Sequence, residues 1–139
     1  MTIQSFRGEY RWLSNFFKCD VVLWGQKFNT VENAYQSSKC DNMTDWLMMV
    51  NCKTPSEAKS KGRTINIRKD FDSVKLDIMY ELLLQKFSDP YFKNKLIQTG
   101  NRLIIEGNRW GDTYWGVCDG IGDNHLGNLI MKIRTELIE

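Results

Sequence analysis

The stretch NTVENAYQSSK, residues 29–39, decides how the rest of the chain is read. Thr30 is a good N-cap, because its hydroxyl oxygen can accept from a free N–H of the first helical turn. The spacing predicts a helix over about 31–41. Glu32, Gln36 and Lys39 then fall on one stripe of that helix. Val31, Ala34, Tyr35 and Ser38 make a poor core face. Such a helix is badly anchored unless its polar stripe is itself partly buried in a site. Glu32 in the first turn also feels the positive helix end, which favours a carboxylate by about 0.3–1 kcal/mol. Desolvation in a pocket acts in the opposite direction.

Reading outward, CDVVLWGQKF (19–28) predicts a hairpin turning at Trp24–Gly25, and DWLMMV (45–50) a short apolar helix. TPSEAKSKGR (54–63) carries full helix punctuation. Thr54 caps, Pro55 takes the first helical position, Glu57 completes a capping box and Gly62 ends the helix left-handed. The longest helix is expected over about 72–87, with Val74, Ile78, Leu82 and Leu83 inward and Phe87 near its end. In SDPYFKNKLIQTG (88–100) Asp89 caps, Pro90 opens and Gly100 closes. RLIIEGN (102–108) reads as a short buried strand, followed by a Gly- and Trp-rich loop over 107–123. A last helix turns Leu126, Leu129, Ile130, Ile133 and Leu137 inward. The expected fold is α+β, a mostly helical single domain over 1–139 with a small β-sheet.

Hydrophobic residues make up 42% of the 139, enough for one core. No apolar run approaches the ~20 residues of a membrane helix. The opening MTIQSFRGEY has no signal-peptide stretch, so a soluble cytoplasmic protein is expected. Cys19, Cys40, Cys52 and Cys118 form no C-x-x-C pair, and His125 is the one histidine. Free thiols, no metal and no cofactor are the expectation. A net charge of +2 does not announce a nucleic-acid binder. The charge is uneven, however. Lys53, Lys59, Lys61, Arg63, Arg68, Lys69 and Lys75 crowd 53–75, whereas Glu106, Asp112, Asp119 and Asp123 face only Arg109 over 106–123. Two solvated faces are the plain account. A cationic wall for phosphate opposite an acidic rim is the functional one.

Two further stretches carry candidate chemistry. In EGNRWGDTYWGVCDGIGDNHLG (106–127), glycines permit sharp turns and close ligand approach, and Trp110 or Trp115 can stack on a planar base or sit in the core. Its glycine patterns lack the Lys-Ser/Thr of a P-loop. In FRGEYRWLSNFF (6–17), Arg7, Arg11 and Asn15 alternate with aromatics, which suits a nucleotide-like ligand or an edge segment packed on the core.

Together these pieces, with SEAKSKGR, DFDSVKLDIMYELLLQKF and LIIEGNRWGDTYWG, occur in the order that resembles the NADAR family of YbiA-like N-glycosidases, over essentially the whole chain. The resemblance implies a small α+β domain cleaving N-glycosidic bonds to ribose. The substrate classes it implies are ribosylamino-pyrimidine phosphates of riboflavin synthesis and ADP-ribosylated guanine in nucleic acid. The family's essential glutamate falls on Glu32, its closing lysine on Lys39, and its acid and aromatic on Asp112 and Trp115. Where the family usually has tryptophan this chain has Phe71, a smaller stacking face without an indole N–H. The spacing after Trp115 also departs from the commonest form, so Asp119 is not carried over.

On this reading Glu32 stabilises developing charge at ribose C1′ or activates water, and Lys39 supports it or captures an opened ribose as a Schiff base. Asp112 holds the sugar or protonates the leaving group. Trp115 and Phe71 stack on the base, Gln36 holds a ribose hydroxyl, and Asn15 and Arg7 line the ligand. Lys59 and Arg63 meet phosphate. Two alternatives stay open: a non-catalytic ADP-ribose reader using the same pocket, and an interaction module whose segment 53–75 binds nucleic acid.

Overall fold

Trp24 and Gly25 turn the chain where the sequence places the hairpin. In the computed structural model, which describes residues 1–139, β1 (Val21–Leu23) and β2 (Gln26–Phe28) pair antiparallel across these two residues. Both have positive φ, 50° and 82°, as a two-residue turn matched to strand twist requires. Tryptophan is a costly choice there. Its ring lies 5.6 Å from that of Trp46, which also meets Phe28 edge-on at 6.0 Å, and these contacts offset the strain.

The packing divides into two compact units, Asn15–Lys86 on one hand and Met1–Ser14 with Phe87–Glu139 on the other. The Asn15–Lys86 unit is built around α1 (Val31–Ser37), which packs on β1, β2, α2 (Met43–Val50) and α3 (Pro55–Lys61). Thr30 caps α1 as expected, its Oγ1 accepting from Asn33 N at 3.0 Å. The helix stops at Ser37, earlier than the 41 expected. The Ser38 hydroxyl donates to Tyr35 O, and the next residues tighten into turns. Lys39 therefore lies just beyond the helix. Every residue of α1 is buried, so the face judged a poor core is core, and the polar stripe is enclosed as well.

Two residues of TPSEAKSKGR act as read, and a third in altered form. Thr54 caps, Pro55 opens α3, and Glu57 closes the box in shifted form, accepting from Lys53 N instead of the cap residue's own N–H. Gly62 differs. Its φ of −58° is ordinary right-handed helix, so no left-handed cap forms. Met49, Ala58 and Ile65 form a small core beneath, with Cys40, Met48 and Cys52 against it. All four cysteines are free.

The long helix α4 runs Phe71–Ser88. Its buried stripe is Phe71, Met79, Leu82, Leu83, Lys86 and Phe87, with Val74 and Ile78 only half-buried. The Gln85 amide bonds both the N–H and the C=O of Val22, at 2.7 and 2.8 Å, and so covers the edge of β1 with a side chain. Lys86 is 1% exposed, and burial lowers its pKa to about 8 from 10.5, against a partial opposing effect of Cys19. Between these values the unfolded chain binds the proton that the folded chain has released. The penalty is thus full below about 8 and fades as pH rises towards 10.5. Denaturant titrations should show wild type gaining up to about 3 kcal/mol across this range relative to Lys86→Met. Parallel pH profiles for the two proteins would remove Lys86 as the cause.

In the other unit, a 3-10 helix spans Gly8–Leu13. The helices α5 (Pro90–Gln98) and α6 (His125–Ile138) pack together. Asp89 and Gly100 delimit α5 as read, Gly100 with φ 66°. On α6, Leu126, Ile130 and Ile133 are buried, and Leu129 and Leu137 half-buried. RLIIEGN is not one strand. Ile104 makes a single parallel bridge to Ile3, and only β3 (Gly107–Asn108) pairs in register, with β4 (Val117–Cys118). The Asn124 side chain occupies the backbone of this segment instead, accepting from Glu106 N at 2.9 Å and donating to Ile104 O at 2.9 Å.

Candidate functional site

Glu32 is placed by three tethers on α1. Its N–H donates to Asn15 O at 3.0 Å, which fixes the first turn. Asn33, the next residue, donates through its amide to Cys52 O and Thr54 O, which ties α1 to the start of α3. Gln36, one turn on, donates from Nε2 to Glu32 Oε2 at 2.8 Å. Glu32 is 8% exposed and Gln36 6% exposed. Two acceptors near this turn, Gln36 Oε1 and Asn15 Oδ1, are buried with no protein partner, although the Asn15 amide donates weakly to Met79 Sδ at 3.6 Å. Buried polar atoms are rarely left so.

Lys39 is held by its backbone, whose C=O accepts from Arg68 N at 2.8 Å. Its amine lies 5.4 Å from the Tyr35 ring and 5.9 Å from that of Phe71, and these two rings are 5.6 Å apart. Burial lowers the Lys39 pKa below its ordinary 10.5. Glu32 opposes that fall, while the charges of Lys75, Lys59 and Arg63 add to it. Carboxylate, amine, two aromatic rings and three further cations thus share one neighbourhood in the Asn15–Lys86 unit. Lys59 is half-buried, its amine 5.8 Å from the Phe16 ring, and Arg63 is exposed.

Asp112 and Trp115 belong to the other unit, as does the exposed Arg7. Asp112 Oδ1 accepts from Tyr114 N at 3.1 Å and Trp115 N at 2.9 Å, folding the loop that carries the indole. Asp112 Oδ2 takes no bond from the protein. Asn108 organises the same loop. It donates to Asp112 O at 2.9 Å and to the buried Glu106 at 3.0 Å, and accepts from Asp112 N. Tyr114 packs at 4.9 Å on Trp115 and at 4.4 Å on His125, so the histidine is a stacking partner at the start of α6. Trp110, weighed above as a core residue, is 63% exposed.

The model of the NADAR domain matches residues 4–138. The chain belongs to the NADAR family. An N-glycosidase of Nostoc punctiforme is 34% identical over 135 residues, covering 92% of this chain and 86% of that protein. The chloroplastic riboflavin biosynthesis protein PYRR of Zea mays is 35% identical over 123 residues, 78% of this chain but 20% of that protein. The NMR structure of the Escherichia coli protein YbiA matches with a TM-score of 0.86 at 27% identity, over 99% of this chain and 84% of that one. The mostly helical α+β fold is therefore that of the NADAR neighbour, as the sequence led one to expect.

Within this NADAR chain the sequence missed several contributors. Tyr35, which the sequence offers only as part of a poor core face, is 6% exposed with its ring beside the Lys39 amine. Lys75 is legible in the sequence only as one member of the basic run over 53–75, not as a neighbour of Lys39. Its spacing of four from Phe71 was the available signal. Asn33 left no signal, because its partners Cys52 O and Thr54 O are backbone atoms distant in sequence, and Glu106 was legible only as one acid of the 106–123 rim, not as the side-chain partner of Asn108.

Phe71 is 6% exposed against Tyr35, so a larger ring has little room. Phe71→Trp should lower the melting temperature, at about 1–3 kcal/mol, and leave KM unchanged. Tighter substrate binding at an unchanged melting temperature would instead return position 71 to the stacking role of the family tryptophan.

Proposed function

We propose that this protein is an N-glycosidase hydrolysing the bond between ribose C1′ and the nitrogen of a base or amine, in a phosphorylated or ADP-ribosylated substrate. One observation carries the reading: Glu32, buried and held by Gln36, lies in electrostatic reach of Lys39, whose amine is pushed towards neutrality. The relatives named N-glycosidases and riboflavin biosynthesis proteins support the class of bond. The cations Lys59, Arg63 and Lys75 support a phosphate-bearing substrate.

The C1′–N bond breaks with its electron pair leaving on nitrogen, which takes up a proton. Positive charge develops at C1′, where the Glu32 carboxylate stabilises it. On one path Glu32 takes a proton from water as the water oxygen bonds C1′. On the other the ribose opens, the neutral Lys39 amine adds to C1′, the departing amine leaves, and water hydrolyses the resulting imine. Gln36 spends its donor end on Glu32 and so orients the base. Asn15 offers Oδ1 as an acceptor for a ribose hydroxyl. In the other unit, Asp112 shapes the loop that presents Trp115.

Incubation with a ribosylamino-pyrimidine phosphate and, separately, with ADP-ribosylated DNA tests the assignment. Release of free base and sugar from either supports it and names the leaving group. Binding of both without release would make the protein a reader of the same ligand.

A further inference from the structure

Gly62 has no backbone reason to be glycine. With φ −58° it sits in a right-handed turn that any residue adopts, at the C-cap of α3. It is nonetheless buried, and the space where a side chain would start is already taken. A β-carbon there would overlap Gln36 Oε1, lie 3.0 Å from Gln36 Cδ and press on Ala58 O at 3.1 Å. The same Gln36 amide donates from its other end to Glu32 Oε2 at 2.8 Å. Its Oε1 has no hydrogen-bond partner, so nothing polar holds that end in place. The amide is wedged between a carboxylate and the bare Cα of a glycine.

We infer that Gly62 is a positioning residue for the catalytic carboxylate, holding open the space that lets Gln36 aim its N–H at Glu32. The inference rests on the proposed role of Glu32. A methyl at 62 cannot be met by moving Glu32, which is bound through its own backbone to Asn15. It is met by displacing the Gln36 amide, the free end of a flexible side chain, and that removes the donor from Glu32. The consequence is a misoriented carboxylate in an otherwise intact site. Substrate binding through the cations is untouched, while the chemical step slows.

The test is a double-mutant cycle between Gly62→Ala and Gln36→Ser, read as kcat and KM on a ribosylamino-pyrimidine phosphate and on ADP-ribosylated DNA, with melting curves for each variant. Gly62→Ala alone should lower kcat by about tenfold to a hundredfold with KM within about twofold, the scale of an ångström-sized misplacement. Gln36→Ser should lower kcat similarly, because it removes the donor. In the Gln36→Ser background, where the smaller side chain leaves room for the methyl, Gly62→Ala should cost nothing more. A wild-type kcat in Gly62→Ala overturns the inference, and so does a full cost that persists in the Gln36→Ser background, since the methyl would then act by another route. Glu32→Gln run alongside separates the two levels. If it too keeps wild-type turnover, the reading of the site fails; if it loses turnover while Gly62→Ala does not, only the role of Gly62 fails.

Discussion

Glu32→Gln should leave a folded protein with its turnover reduced by about 10²–10⁴-fold, the usual scale of one general-base or electrostatic contribution. The substitution is nearly isosteric, and the new amide oxygen can still accept from Gln36 Nε2, so the packing of α1 has little to lose. What it removes is the negative charge. An amide neither stabilises a cationic C1′ nor takes a proton from water. The measurement is single-turnover release of base, paired with a melting curve. A variant within threefold of wild type, melting at the same temperature, would take Glu32 out of the chemistry.

Borohydride added during turnover should leave a ribosyl adduct on the peptide containing Lys39, visible by mass spectrometry and absent in Lys39→Arg. The expectation follows from a conflict of charges. Glu32 favours the ammonium, but burial together with Lys75, Lys59 and Arg63 favours the neutral amine, and the net direction is downward from 10.5. The nucleophilic fraction then grows as pH rises towards the lowered pKa, so kcat/KM should climb on its acid side with that limb set below the ordinary lysine range. Lys75→Gln removes one of the cations that hold the pKa down and should move the limb to higher pH. Lys39→Arg keeps a charge that never becomes neutral and should lose at least about a hundredfold. No adduct during active turnover, with substantial activity in Lys39→Arg, would leave Lys39 an electrostatic residue and Glu32 the activator of water.

The legible parts of this fold are those whose signal is local. The Trp24–Gly25 turn, the Thr30, Thr54 and Asp89 caps and the Pro-opened helices all rest on contacts a few residues apart, and they stand where the sequence put them. The enclosure of α1 was half legible. Its weak apolar face argued for a buried polar stripe, but burial on all sides depends on Asn33 reaching Cys52 and Thr54, which no spacing encodes. RLIIEGN carries a strand's composition, yet Asn124 takes the hydrogen bonds a neighbouring strand would supply. The long helix hid Lys86 because a lysine in an apolar stripe reads as a break in it. Gly62 followed a good helix, and a glycine there suggests a left-handed cap before it suggests a space kept for a side chain 26 positions earlier. In the candidate site, the i to i+4 step from Glu32 to Gln36 and the basic run over 53–75 were readable, whereas only the fold brings Lys59 of α3, Arg63 of the turn after it and Lys75 of α4 to Lys39.

The hairpin tip offers an optical consequence. Trp24 and Trp46, 5.6 Å apart and tilted by 33°, are close enough for their indole transitions to couple and give a paired positive and negative band in circular dichroism. Both rings belong to the Asn15–Lys86 unit, the one that holds Glu32, Gln36 and Lys39. The band therefore reports whether that unit is assembled, separately from the tryptophans at 12, 110 and 115. Local opening need not involve the whole chain. A variant silent in the assay but keeping this signature has lost its chemistry, and one that loses both has lost the scaffold beneath it.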